Sequence, residues 1–137
     1  MDTTPTKIVI VEDDPLLMRA YHDALVAKGY AVGIFFNADD AYNAIVEMPQ
    51  KPAVILSDVM MPKMNGLQFL EKIRQSPELK SIPFIVMTSL TQKEHAEKAV
   101  SLGASAYLIK DQQTIKELVE KIEEFAKGSP EKSALSS

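Results

Sequence analysis

Val54-Ile55-Leu56-Ser57-Asp58-Val59-Met60-Met61-Pro62-Lys63-Met64-Asn65-Gly66 is the stretch whose reading decides the fold. A short apolar run of strand-forming residues ends in an acid, and a proline and a glycine then turn the chain away. A run of this length bounded by turn formers reads as a strand covered on both faces, as strands of parallel sheets are. Asp58 is then the first residue past the strand's carboxyl end. In open α/β sheets that edge is where ligands bind.

Outward from this stretch the same pattern recurs. Ile8-Val9-Ile10-Val11 ends in Glu12, Asp13 and Asp14, Phe84 to Met87 ends in Thr88 and Ser89, and Ala106 to Ile109 ends in Lys110. Strands are predicted at 8–11, 31–36, 53–57, 84–87 and 106–109. Asp14 and Pro15 have the form of an N-cap and first helical residue, and Leu17, Ala20, Tyr21, Ala24 and Leu25 follow at helical spacing up to Gly29. Ala38, Ala41, Ile45 and Met48 mark a second helix. Asn65 caps a third over Gly66 to Gln75, with Leu67, Leu70 and Ile73 inward. A helix over 92–102 has only Ala96, Ala99 and Val100 as its apolar stripe, which predicts weak anchoring. Thr114 and Glu117 form a capping box ahead of the clearest amphipathic helix, carrying Ile115, Leu118, Val119, Ile122, Phe125 and Ala126. Five repeats of strand then helix predict an α/β fold with helices on both faces of a parallel sheet. The expected organisation is a flexible lead over 1–6, one domain over 7–127 and a flexible tail over 128–137.

Composition agrees with one domain: 137 residues, 46% hydrophobic and 25% charged, are enough to enclose a core. A net charge of -4 leaves no electrostatic footprint for nucleic acid or an anionic membrane, so neither is an expected partner. The absence of cysteine excludes disulfides, thiolate metal sites and cysteine nucleophiles. No basic-then-apolar leader is visible, and no apolar run approaches the roughly 20 residues that span a bilayer. A cytoplasmic monomer is expected. His22 and His95 lie on different helices without a second ligand at metal spacing, and both read as surface residues.

In a parallel sheet the strand ends share one edge, which gathers Glu12, Asp13, Asp58, Thr88 and Lys110. Three carboxylates in one crevice repel one another and call for a cation. An all-oxygen donor set points to Mg²⁺, and the lack of a Cys or His cluster argues against zinc. A metal beside a carboxylate, a hydroxyl and a lysine suits phosphoryl transfer, with Asp58 as nucleophile and Thr88 and Lys110 each holding a phosphoryl oxygen. A haloacid-dehalogenase-type phosphatase needs a second aspartate two residues after the nucleophile, where this chain has Met60. A P-loop is excluded by the lack of a Gly-x-x-x-x-Gly-Lys stretch.

With Val11-Glu12-Asp13-Asp14, Asp58 followed by Met61-Pro62 and Asn65-Gly66, Thr88-Ser89, and Tyr107 three residues before Lys110, the sequence resembles a response-regulator receiver domain of the single-domain, chemotaxis-regulator-like type. The resemblance runs from residue 7 to about 127. It implies a flavodoxin-like, doubly wound (βα)5 three-layer sandwich with a five-stranded parallel sheet of order 2-1-3-4-5. It further implies Asp58 as phosphoacceptor and Mg²⁺, with Mn²⁺ as a substitute, held by Asp13, Asp58, the backbone carbonyl of Met60 and, through water, Glu12. Thr88, Lys110 and Tyr107 would bind the phosphoryl group and switch, with Ser89 and Asp14 secondary. The donor would be a phosphohistidine on a sensor histidine kinase or histidine phosphotransfer protein. Such a protein is a signalling receiver that catalyses its own phosphorylation rather than an enzyme with a separate substrate.

Three positions depart from the family pattern. Receivers usually have a cis proline after the lysine, where this chain has Asp111. A cis bond without proline costs about 2.5 to 4 kcal/mol, so the sequence leaves open whether the Lys110–Asp111 bond is cis or relaxes to trans. The positions two after the acceptor and two after the threonine, which tune attack of water, are Met60 and Leu90, predicting slow dephosphorylation. No output domain is expected, so output passes to a partner protein on the 92–127 face, among Lys93, Glu94, Glu97, Lys98 and Lys121. The alternative is a docking module of receiver fold that works without phosphorylation.

Overall fold

The computed structural model describes residues 6–89 and 93–127. Most of the predicted lead, the tail, Leu90 and Gln92 lie outside the described residues, as does the side chain of Lys93. Within them the chain alternates β1 (Lys7–Val11), α1 (Pro15–Ala27), β2 (Ala31–Phe35), α2 (Ala38–Glu47), β3 (Val54–Asp58), α3 (Gly66–Gln75), β4 (Phe84–Thr88), α4 (Lys93–Ser101), β5 (Ala106–Ile109) and α5 (Ile115–Ala126). The five strands are all parallel and lie in the order β2-β1-β3-β4-β5. This is the (βα)5 doubly wound fold that the sequence predicts.

Alternation of side chains along each strand divides the core into two layers. Ile8, Ile10, Val54, Leu56, Ile85 and Met87 face α1 and α5, meeting Met18, Tyr21, Leu25, Leu118, Val119 and Ile122. Val9, Val11, Ile55, Phe84 and Val86 face the opposite layer of α2, α3 and α4, meeting Ala41, Ile45, Phe69, Leu70, Ile73 and Ala99. The central strands are buried on both faces, which is why their sequences are continuous apolar runs rather than alternating ones.

Two inward-facing readings change. Phe69, not assigned to the core stripe of α3, is fully buried, with its ring edge-on to Phe84 at 5.3 Å. Val100, assigned to the stripe of α4, is 54% exposed. It follows Ala99 by one residue, about 100° around the helix, so a helix seated on Ala96 and Ala99 turns it to solvent. The thin anchoring of α4 is therefore thinner than the sequence indicates. Asp58 and Thr88 are the last paired residues of β3 and β4 rather than the first beyond them.

Candidate functional site

The carboxyl edge of the sheet gathers the acids. Carboxylate oxygens of Glu12, Asp13 and Asp58 all lie within 4.8 Å of one another. Each backbone is fixed by what the sheet does next to it. Glu12 N–H donates to the Phe35 carbonyl at 3.1 Å, extending the β1–β2 ladder by one step. Val59 N–H donates to the Met87 carbonyl at 3.1 Å, which holds the chain immediately after Asp58 against β4. Lys110 opens the short 3-10 turn after β5 and reaches back across the edge, its Nζ 3.0 Å from Asp58 Oδ2 and 3.0 Å from Glu12 Oε1. The first contact is an aligned hydrogen bond; the second is an ion pair without that alignment, leaving Glu12 Oε1 buried without a true hydrogen-bond partner among the described residues.

Burial raises the pKa of both Glu12 and Asp58 above the ordinary carboxylate range. At Glu12 the Asp14 amide at 3.0 Å and Lys110 oppose the shift, while the charge of Asp58 adds to it. At Asp58 the bond and charge of Lys110 and the Met60 amide oppose it, and Asp13 adds to it. For Lys110 burial alone would lower the pKa, but bonding to Asp58 and Glu12 outweighs it and holds the ammonium above its ordinary value. The edge thus carries excess negative charge that one lysine does not neutralise. An all-carboxylate donor set with a buried oxygen lacking a hydrogen-bond partner fits a hard divalent cation.

Thr88 is fully buried at the end of β4, its hydroxyl without a hydrogen-bond partner among the described residues. Ser89 is half-buried beside it. Tyr107 pairs with Val86 in the sheet, and its side chain is 46% exposed rather than packed inward. Met60 is likewise exposed, with its amide bonded to the Asp58 carboxylate. Asp14 serves as the N-cap of α1, accepting from the amides of Leu16 and Leu17, and stands outside the acidic triad. No peptide bond among the described residues is cis, so Lys110 reaches the triad through a trans link to Asp111.

A family model for the response regulator receiver domain matches residues 8–123. The chain belongs to the response regulator receiver family. Membership carries the family's general function, two-component signalling in which receivers take up a phosphoryl group on an aspartate and interact with histidine kinases or phosphotransfer proteins. Among relatives, the polar-differentiation response regulator DivK of Brucella anthropi is 31% identical over 106 residues, covering 77% of this chain and 85% of DivK. Several longer relatives are matched over only 15% to 48% of their length. A DNA-binding response regulator of the LuxR family from Staphylococcus aureus superposes with a TM-score of 0.78 at 32% identity, over 88% of this chain and 98% of that one. The Mn²⁺-bound form of the response regulator Rcp1 does so with a TM-score of 0.77 at 26% identity, over 88% and 94%. Among the described residues of this receiver no helix is long and apolar enough to cross a membrane.

Three residues shape this edge in ways that the sequence does not show. Ser57, a buried hydroxyl inside β3, donates to the Asp58 carbonyl at 3.0 Å. Gly66 was read as a turn residue, but a Cβ there would stand 2.2 Å from the Asp58 carbonyl oxygen, so only glycine lets α3 start this close to the acid. Tyr21 was counted as core; its phenol is pushed above its ordinary pKa by burial and then by the charge of Glu12. A polar atom on an otherwise apolar stripe is the signal that could have found Ser57 and Tyr21. His95, read as a surface residue, is half-buried, its Nδ1 enclosed and without a hydrogen-bond partner among the described residues.

Proposed function

We propose that Asp58 is the phosphoacceptor of this receiver, taking the phosphoryl group from a phosphohistidine on a sensor histidine kinase or histidine phosphotransfer protein. The observation that carries the reading is the Lys110–Asp58 pair at 3.0 Å set against the Glu12, Asp13 and Asp58 triad. An Asp58 carboxylate oxygen forms the bond to phosphorus as the phosphorus–nitrogen bond of the donor breaks and its electron pair returns to the imidazole. Lys110, already beside Asp58, holds one phosphoryl oxygen, and the buried Thr88 hydroxyl is free to donate to another. Mg²⁺, held by Asp13, Asp58, the Met60 carbonyl and water on Glu12, would neutralise charge on the transferring group. Mn²⁺, which Rcp1 binds, would substitute for it.

Phosphorylation adds roughly -1.5 to -2 charge and three acceptor oxygens. Thr88 moving toward those oxygens and Tyr107 leaving its exposed position form the switch. The readout is a downstream protein bound at the 92–127 face, where Glu94, Glu97 and Lys98 are exposed and Lys121 half-exposed. The receiver domain over 7–127 acts in the cytoplasm. Met60 has no group able to orient an attacking water, so the phosphorylated form is long-lived; a half-life of seconds at neutral pH would overturn that part.

Intact mass after incubation with acetyl phosphate and Mg²⁺ tests the reading. One phosphoryl group, about 80 Da by covalent arithmetic, is expected on the native chain and not on Asp58→Asn or in the presence of chelator. No adduct from acetyl phosphate or from phosphorylated kinase donors would move the assignment to a docking module that works without phosphorylation.

A further inference from the structure

Among the described side chains of α4 the fully buried ones are the methyl groups of Ala96 and Ala99, yet its C-terminal end is well fixed. Ala104 N–H donates to the Ala99 carbonyl at 2.9 Å and Gly103 N–H to Val100 at 3.1 Å, with Gly103 at φ +101°. These two bonds and the left-handed glycine make a Schellman motif. α1 ends in the same way at Gly29, with bonds to Val26 and Leu25, but α1 also buries Met18, Tyr21 and Leu25. In α4 something else must hold the helix down.

That something is Arg74, the next-to-last residue of α3. Its Nε donates to the Gly103 carbonyl at 2.9 Å, and its Nη1 donates to Lys80 at 3.0 Å and Ile82 at 2.7 Å. One half-buried guanidinium therefore joins the turn that precedes β5 to the loop that precedes β4. Both attachments lie at the amino edge of the sheet, opposite the acidic triad. Only a planar guanidinium presents donors in diverging directions from one rigid group; a lysine ends in one nitrogen.

We infer that Arg74 is the positioning residue of α4, pinning its C-terminal turn so that the helix pivots about Gly103 and opens from its N-terminal end, the end that follows Thr88. The inference rests on the proposed function only in giving that motion a signalling use. A helix pivoted at the far edge converts a small displacement next to the acids into a tilt of its exposed face, with Glu94 and Glu97 near the moving end. A helix held evenly along its length would not do so.

Amide hydrogen exchange read by mass spectrometry on the unmodified full chain tests it. In the native protein the amides of 102–104 should exchange more slowly than those of 97–99. Arg74→Ala should speed 102–104 by about tenfold, the loss of roughly one hydrogen bond from a charged group, and abolish the gradient while leaving α2 and α5 unchanged. Arg74→Lys should restore the gradient only in part, and it supplies the reading if the alanine variant does not fold. Equal acceleration in all helices, full rescue by lysine, or a native α4 without a gradient would overturn the inference. Intact mass after acetyl phosphate treatment of the same native sample reports separately on Asp58, so loss of the phosphoacceptor reading and loss of the pivot are told apart.

Discussion

α4 and α5 flank the same edge strand, β5, and they are held by opposite means. α5 begins in a reciprocal capping box between Thr114 and Glu117, buries Leu118, Val119 and Ile122, and is tied at its far end by Glu123 to Tyr30 and Lys28. α4 buries two alanines and turns Val100 outward. A buried Leu or Ile side chain contributes roughly 1.5–3 kcal/mol, whereas an alanine methyl contributes less than 1. The difference teaches where a switch has room to act. A phosphoryl group brings a few charge-assisted contacts, enough to shift an element seated on two methyl groups and too few to unseat one anchored by three large side chains.

The largest effect that would break this comparison comes from truncating one large apolar side chain on each helix. Ile122→Ala should cost about 2–5 kcal/mol of global stability, since its side chain is fully buried among Ile8, Leu25 and Leu56. Val100→Ala should stay within about 0.5 kcal/mol, because the valine is mostly in water. Urea unfolding of the two variants decides it. Comparable losses would mean that α4 is as firmly seated as α5.

The next effect concerns the acids rather than either helix. Glu12 and Asp58 have pKa values raised by burial, to which the charge of Asp58 adds at Glu12 and the charge of Asp13 adds at Asp58. For a carboxyl group raised on folding, the stabilising contribution is present below the unfolded value of about 4 and is lost as pH rises through the folded value. At neutral pH the cation-free edge is therefore a net cost. Saturating Mg²⁺ should raise the unfolding free energy, by about 2.7 kcal/mol at one hundred times its dissociation constant. Asp13→Asn should stabilise the cation-free protein and shrink that gain. An unchanged response to Mg²⁺ would remove Asp13 from the cation site. Exchange in α4 should be unaffected by the cation alone, since the proposed switch calls for the phosphoryl group.

How much of this was legible in the sequence follows from the same contrast. The strands were readable because parallel strands covered on both faces must be apolar throughout, and their shared edge followed from topology, so Glu12, Asp13, Asp58 and Lys110 could be brought together without coordinates. The absence of proline at Asp111 left the Lys110–Asp111 bond open between cis and trans, and the structure has it trans. Val100 and Phe69 were not, because helical periodicity gives a stripe but not its rotation about the axis to within one residue. Gly66 and Arg74 were out of reach for a different reason. One is defined by how closely α3 approaches the Asp58 carbonyl, and the other by three carbonyls from two loops, Gly103 lying 29 positions along the chain. Neither has a local pattern.

A smaller effect sharpens the account of α5 at its start. The Thr114 hydroxyl accepts from the Glu117 amide at 3.0 Å, and the Glu117 carboxylate accepts from the Thr114 amide at 2.9 Å. Thr114→Ala should cost about 1 kcal/mol in urea unfolding, within the usual range for lost caps. A negligible loss would mean that packing alone seats the helix.

The smallest effect lies at its other end and depends on pH. The Tyr30 hydroxyl donates to Glu123 at 3.2 Å, and partial burial, then the charge of Glu123 and this bond, push its pKa up to about 12. An ionisable phenol raised on folding contributes stability fully below its unfolded value of about 10, and that contribution is lost as pH rises through about 12. The tie between α5 and the α1–β2 turn should therefore weaken across that interval and nowhere near neutrality. Absorbance at the phenolate band, followed through alkaline titration, should show a late-ionising component to which Tyr30 and the buried Tyr21 both contribute among the four tyrosines, and Tyr30→Phe should shrink it by one tyrosine's amplitude. If the amplitude of the late component is unchanged by the substitution, Glu123 is not what holds the proton, and the far end of α5 is secured by its ion pair with Lys28 instead.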